Sequence, residues 1–417
     1  MPEEFFRYKL KKTLIFDKAQ SSSWLCPIEV NRPPYRHRLL KLAIAFSMLM
    51  NLCGIVNAKD APQNKIWSKL GITPLTDTLI NQETGYFAAP IVFYTPDTRW
   101  GLGVSAATIF HLKDKMIPGL TTRASYLRIS AHYTQQKQKD LWGEWNVFSA
   151  GERYFFRGEF RVRNFPDKFY GIGNRTSKIE QESYSYEMIT CKTMILKKLS
   201  RFLFLGVDAH YTHFYNFKTE KGKKLDSGKI RGYNGGVGSA IGFVAIMDQR
   251  DNIMNPYRGN YAEFSSYFYR RFLGSTFGFT VINGEYRKYW QVRHKHILAF
   301  QTKARFTLGD VPFIEMSQIG NDDMLRGYPR NRFRDNHMFG AQLEYRFPVF
   351  WRMGLTTFVG AGDIFSRAAD IRMNSLKYTI GTGFRFLLNP AERLNLRLDY
   401  GYGSQGGYFY LAFTEAF

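Results

Sequence analysis

"RLNLRLDY", Arg393 to Tyr400, places Leu394, Leu396, Leu398 and Tyr400 on one parity and Asn395, Arg397 and Asp399 on the other. "GAQLEYRF", Gly340 to Phe347, repeats the pattern, with Ala341, Leu343, Tyr345 and Phe347 alternating with Gln342, Glu344 and Arg346. A period of two puts alternate side chains on opposite faces of a strand, so each segment has one apolar and one charged face. A soluble sandwich alternates too, but its strands stop after about five or six residues. These segments run roughly ten to fifteen, the length that crosses a bilayer at a tilt near 45°.

Outward from these two, sixteen candidate strands can be placed near 86–94, 100–112, 120–133, 140–150, 153–165, 183–198, 201–217, 232–247, 259–271, 276–291, 296–309, 337–348, 353–365, 376–388, 393–402 and 407–417. The expectation is an all-β fold: a transmembrane antiparallel β-barrel of about 16 strands. An even count returns both chain ends to the periplasmic side, and long connections then fall outside and short turns inside. "DQRDNIMNPYRGN", Asp248 to Asn260, is the exception, a long connection on the side of the short turns.

Composition agrees with strands. Aromatics make up 17% of the 417 residues, with 37 Phe and 26 Tyr, and such side chains fit pleated surfaces better than helices. The net charge is +23, of which the first 58 residues hold nine Lys/Arg and four Asp/Glu, leaving +18 for the rest. Charge alone would allow a nucleic-acid binder, but the basic residues are spread through the strands rather than clustered, which fits a solvated loop and lumen surface. No nucleic-acid partner is therefore expected. The three cysteines, Cys26, Cys53 and Cys191, show no zinc-site spacing, and neither metal nor cofactor is expected.

The N-terminal region reads as an export signal. "RPPYRHR", Arg32 to Arg38, precedes the apolar "LLKLAIAFSMLMNLCGIVNA", which ends in small residues at Val56-Asn57-Ala58. That pattern fits a secretory signal cleaved after Ala58, with an extended or misassigned start over residues 1–31. The apolar core is shorter than the roughly 20 residues of a spanning helix, and no later stretch reaches that length. The expected organisation is a signal region over 1–58, a short periplasmic segment over 59–84 and a barrel over 85–417, in a bacterial outer membrane.

One connection is unusually charged. "NDDMLRGYPRNRFRD", Asn321 to Asp335, follows the eleventh expected strand and surrounds Leu325-Arg326-Gly327-Tyr328 with charges of both signs. An external loop of this length can fold back into a polar lumen. These four residues, in that position, resemble the signature loop of the BamA/TamA outer-membrane assembly-factor superfamily, the bacterial surface antigen barrels. "YGIGN" at Tyr170 to Asn174, "DQRDN" with "NPYRG" between Asp248 and Gly259, and "EYRFPVF" at Glu344 to Phe350 are similar to further family patterns.

The resemblance implies that Arg326 enters the barrel and pairs with acids on its inner wall. By alternation Glu344 lies on the polar face and is the expected partner. Where the family has Asp in a F-x-D-x-G pattern, this chain reads "FVGAG" and places Gly360, so a second acid is absent there. Asp363 could stand in, although its parity puts it on the opposite face unless a bulge intervenes.

"GYFYLAFTEAF" sets Phe409, Leu411, Phe413 and Phe417 on one face, resembling the aromatic-ended last strand that outer-membrane barrels present for assembly, with Glu415 as a charge on the same parity. The family's assembly factors carry periplasmic POTRA domains, and 59–84 is too short for one. The implied function is insertion or assembly of outer-membrane proteins, or polypeptide translocation. Outer-membrane lipids, nascent outer-membrane proteins and a separate periplasmic protein are the partners this implies. The alternative is a passive, anion-preferring pore or a structural surface antigen. Catalysis is not expected, because no G-x-S-x-G or H-E-x-x-H pattern nominates a nucleophile or a metal site.

Overall fold

The computed structural model describes residues 84–417, apart from 111, 113–121, 124, 391 and 392. The expected signal region, most of the segment 59–84, and Cys26 and Cys53 lie outside the described residues. The strands are β1 (Thr84–Thr95), β2 (Arg99–Phe110), β3 (Ser125–Thr134), β4 (Lys139–Phe148), β5 (Tyr154–Phe169), β6 (Glu182–Lys198), β7 (Leu203–Thr219), β8 (Gly236–Asp248) and β9 (Gly259–Tyr269). They continue with β10 (Phe279–Arg293), β11 (His296–Gly309), β12 (Ser317–Ile319), β13 (Phe333–Asp335), β14 (His337–Phe350), β15 (Met353–Phe365), β16 (Lys377–Asn389), β17 (Leu394–Gly403) and β18 (Gly406–Phe413).

Sixteen of them close into one antiparallel barrel in sequence order, with β11 paired to β14 and β18 returning to β1. β12 and β13 form a separate two-stranded sheet within the long connection after β11. The alternation sees the sixteen wall strands because each has one face toward lipid and one toward the lumen. It misses the small hairpin, whose residues are all at least partly covered and carry no such contrast.

The outer parity is exposed and apolar, as at Leu102, Val104, Ile129, Ile241, Phe243 and Phe264, which suits a hydrocarbon solvent. The inner parity is not uniformly polar. Phe148, Phe155, Leu196, Phe204 and Phe279 belong to one buried cluster, and Phe165, Phe169, Tyr184, Tyr186 and Phe313 to another. Phe313 belongs to the connection after β11, so part of the inner face is apolar because protein, not water, covers it.

The connections 170–181, 220–235, 310–336 and 366–376 lie at one end of the barrel, and the two-residue turns 294–295 and 351–352 at the other. The first end is therefore extracellular. At the periplasmic end, 249–258 is ordered by side chains. Asp251 accepts from the Tyr257 and Arg258 amides at 2.9 and 3.2 Å and from Arg393 Nη1 at 2.7 Å. The exceptional length of this turn thus spans the distance to the β16–β17 turn.

The closure of the barrel is uneven. β1 pairs with β2 along its whole length, from Thr84↔Phe110 to Thr95↔Arg99. Against β18 it makes a single registered pair, Tyr94↔Leu411.

Candidate functional site

The connection after β11 turns back over the lumen, and its tip is fully buried. Leu325 packs with Ile319, Met324, Tyr328, Phe333, Met338 and Ile364. Its Cδ2 lies 2.7 Å from where a Cβ on Gly360 would sit, so the wall has no side chain at that point because the loop occupies the space. Gly327 has φ +129°, a conformation only glycine adopts readily, and its amide donates to Tyr410 Oη at 3.0 Å. Tyr328 Oη donates to the Tyr378 carbonyl at 3.2 Å and accepts from the Ser404 amide at 3.1 Å. The loop is therefore held by β16, the β17–β18 turn and β18, not by one residue.

Arg326 is wholly buried and bonds two carboxylates. Nη2 donates to Glu344 Oε2, and Nη1 donates to Asp399 Oδ2 at 2.5 Å. The guanidinium carbon lies 3.7 Å from the centre of the Phe358 ring. Burial presses the Arg326 pKa down, but Glu344 and Asp399 more than offset this and leave it raised, so the guanidinium stays charged. Charge-assisted bonds of this kind are roughly twice as strong as neutral ones, and a planar guanidinium fixes their directions.

The acids are shared with further arginines. Arg346 Nε donates to Glu344 Oε1 at 2.7 Å, Arg385 Nη1 donates to Asp399 Oδ1 at 2.5 Å, and Arg397 Nη1 donates to Asp399 Oδ2 at 3.2 Å. Arg385 Nε donates to Glu415 Oε2 at 2.7 Å, and Asn395 Nδ2 to Glu415 Oε1 at 2.6 Å. With Asp322 near Arg397 at 3.4 Å, four arginines face four carboxylates. A balanced, mutually bonded set of this size can persist where an isolated charge could not.

The structure brings Arg326 to Glu344, as parity suggests, but the second acid is Asp399 rather than Asp363. Asp363 accepts from Ser375 Oγ at 2.6 Å and lies 3.4 Å from Asn174 Nδ2. Asp363 therefore ties the β5–β6 and β15–β16 connections together. Gly360 removes one acid from the wall, and Asp399, two strands away on β17, supplies one. The loop is not left on a single carboxylate.

Alternation does place Asp399 on the inner parity of "RLNLRLDY". What it cannot give is that β17 faces the loop tip across the lumen.

The quoted "YGIGN" stretch and its neighbours meet the same loop, whereas 248–259 stays at the periplasmic end. The Gly173 amide donates to the Arg334 carbonyl at 2.7 Å, and Arg332 donates to Thr176 Oγ1 at 2.9 Å and to Gln405 Oε1 at 2.6 Å. The Arg330 amide donates to Asp97 Oδ2 at 2.9 Å, linking the loop to the β1–β2 turn.

At the C-terminus the register places Phe409, Leu411 and Phe413 opposite Tyr400, Leu398 and Leu396, on the outer parity. Phe417 departs from the expected face. Thr414 has φ +68°, and after it the chain turns inward. Glu415 joins the arginine network, and Phe417 is buried with Tyr289, Ile297 and Ala299. Arg346 Nη2 donates to the Phe417 main-chain oxygen at 3.0 Å. Parity fails here because the strand ends at Phe413, and Glu415 finds three buried polar partners, Arg385, Asn395 and Arg346, instead of lipid. The inward turn begins at the residue after β18, the strand that meets β1 in a single registered pair.

Among the described residues no cluster of three or more His, Cys, Asp or Glu is arranged to hold a metal, and Cys191 is exposed and unpaired. No described helix is long and apolar enough to cross a membrane.

A closed sixteen-strand antiparallel wall with an apolar outer face defines a transmembrane outer-membrane barrel, and one of its extracellular connections is bound by its tip inside it. The Omp85 superfamily domain matches residues 152–408, more than half the chain, and the protein belongs to that superfamily.

A search of curated proteins finds no match. Among solved structures, the chain is similar to BamA from Haemophilus ducreyi lacking POTRA domains 1–3, at a TM-score of 0.53 and 12% identity, with 80% of this chain and 70% of that one covered. It is also similar to CdiB from Acinetobacter baumannii (TM-score 0.52, 10% identity, 80% and 60% covered) and CdiB from Escherichia coli (0.52, 9%, 80% and 63%). Against the two CdiB chains it spans less than two thirds of their length. At these identities the likeness is one of fold.

Proposed function

We propose that this barrel assists the insertion and assembly of outer-membrane proteins, or the passage of a polypeptide, by offering the loosely joined edge between β1 and β18 to an incoming strand. The observation that carries the reading is the seam, a single registered pair where every other wall junction is extensively paired. Unpaired amides and carbonyls at a strand edge template another strand. In hydrocarbon each unmet group costs several kcal/mol, so a strand that satisfies them is strongly favoured. Meanwhile the loop, held by the Arg326 network, fills the part of the lumen next to β14–β18, so the seam can part without that wall collapsing inward.

On this reading the partners are outer-membrane lipids, a nascent outer-membrane polypeptide as client, and a separate periplasmic protein that captures the client. The test is reconstitution of the protein in liposomes, following the folding rate of an added outer-membrane client with and without Arg326→Met. Acceleration that the substitution reduces is the expected result. Unchanged client folding together with steady ion conductance would replace the proposal with a passive pore.

A further inference from the structure

Three extracellular connections share an unusual pairing. Each exposes a large apolar side chain directly beside an exposed cation: Ile179 (92% exposed) next to Lys178, Phe272 (84%) next to Arg271, and Met373 (78%) next to Arg372. None of the three cations forms an ion pair among the described residues. Between them, in 220–235, Lys221, Lys223 and Lys229 are exposed and form no ion pair among the described residues, while Lys224 pairs with Glu180 and Arg231 with Asp310. Cations interleaved with projecting apolar groups are the composition of surfaces that engage anionic lipid, since water gives no return for exposing the apolar half.

A second observation lies on the wall below. The outer surface of β2–β5, toward their extracellular ends, has a groove of about 720 Å³ lined by Leu102, Val104, Ala131, Tyr133, Leu141 and Val162. Lys139 borders it, is exposed, and has no carboxylate partner among the described residues. One acid, Glu187, also lines the groove, where it accepts from Asn164 at 3.3 Å and Asn216 at 3.0 Å and does not pair with Lys139. Asp140, also at the border, turns inward to Arg163 at 3.0 Å. An apolar trough in the bilayer with a free ammonium at its headgroup end matches an acyl chain joined to a phosphate.

We propose that the extracellular rim is a binding site for the phosphorylated glycolipid of the outer leaflet. An acyl chain lies in the β2–β5 groove, a phosphate sits on Lys139, and the loop cations engage neighbouring phosphates while Ile179, Phe272 and Met373 enter the headgroup layer. The position at the extracellular ends selects the outer leaflet over inner-leaflet phospholipid. The groove begins at β2, which pairs with β1 along its whole length, so a bound lipid would stand one strand away from the seam. The site itself rests on exposure, charge and the groove, independently of the assembly reading.

The experiment uses the full protein in lipid-free detergent micelles, with native mass spectrometry counting bound lipid. Diphosphoryl lipid A, its dephosphorylated form and phosphatidylglycerol are offered separately. Diphosphoryl lipid A is expected to bind about tenfold more tightly than either alternative. Lys139→Gln with Lys178→Gln should weaken it about 25-fold, near fivefold per cation, and raising salt should do likewise. Leu102→Asn should weaken it with both cations intact.

All three substituted side chains are exposed, and the heat-modifiable mobility of the folded barrel on gels checks each variant. Equal binding of the three lipids, or undiminished binding by the double variant, overturns the proposal. So does equal competition by a short DNA duplex, which would make the rim a non-specific polyanion surface.

Discussion

Replacing Arg326 by Met removes a buried cation at nearly constant volume and tests how the loop is held. Two charge-assisted bonds are lost, each worth about 1.5–3 kcal/mol, with a ring contact of about 0.5–2 kcal/mol at Phe358. The loss is less than their sum, because Glu344 keeps Arg346 and Asp399 keeps Arg385 and Arg397. Breaking a buried pair while the acid remains costs about 3–5 kcal/mol, and that is the expected range.

Urea unfolding in micelles, followed by tryptophan fluorescence, measures it. Combined with Asp399→Asn, Arg326→Met should show a coupling of about 1–3 kcal/mol, whereas with Asp363→Asn the two should add within about 0.5 kcal/mol. A cost under about 1 kcal/mol for Arg326→Met, or coupling to Asp363 instead of Asp399, would refute the assignment of the two carboxylates.

Other perturbations probe the surroundings. Gly360→Asp restores an acid to the wall but drives a side chain into Leu325, so it should destabilise by about 1–3 kcal/mol in the same urea assay, not strengthen the loop. Glu415→Gln weakens the hold on the C-terminal tail. With Cys191 replaced by Ser, the oxidative cross-link of Val92→Cys to Phe413→Cys, the next pair in register after Tyr94↔Leu411, should rise several-fold, and an unchanged yield would mean the tail does not draw β18 from β1.

Asp97 sits in the β1–β2 turn, where burial raises its pKa to about 7 against the opposing Arg330 amide. The folded state therefore holds this proton more tightly than the unfolded chain, so its contribution to stability is present below about pH 4 and is lost as pH rises toward 7. Asp97→Asn should flatten that slope between pH 4 and 7, read from urea midpoints, and a slope unaltered by the substitution would place its origin elsewhere.

The wall was legible because lipid and lumen impose opposite demands on neighbouring residues, and period two records that directly. "RLNLRLDY" and "GAQLEYRF" contain the inward Arg397, Asp399, Glu344 and Arg346, four members of the network, on the parity the structure gives them. Two things were not legible. Parity states which way a side chain points and not what stands opposite across the lumen, so nothing local in the sequence joins Asp399 on β17 to Arg326, 73 positions earlier. Parity also presumes that a strand continues, and at Thr414 it does not. Parity puts Glu415 on the apolar face, where a charge is tolerable near the periplasmic rim, but the chain turns inward at Thr414 and Glu415 bonds Arg385 and Asn395 instead.

That turn joins two features that the sequence presents separately. Arg326 reaches Glu344, which Arg346 also holds, and Arg346 holds the Phe417 main-chain oxygen. Arg326 also reaches Asp399, which Arg385 holds, and Arg385 holds Glu415. The loop tip and the C-terminal tail are therefore two ends of one set of shared charges. Since Glu344 and Asp399 are each bonded by more than one arginine, removing the loop's guanidinium must redistribute the bonds that keep the tail inside. Arg326→Met should consequently change the Val92–Phe413 cross-link even though neither residue touches Arg326. If that cross-link is indifferent to Arg326 while responding to Glu415, the two ends are held independently, and the bonds shared between them transmit nothing.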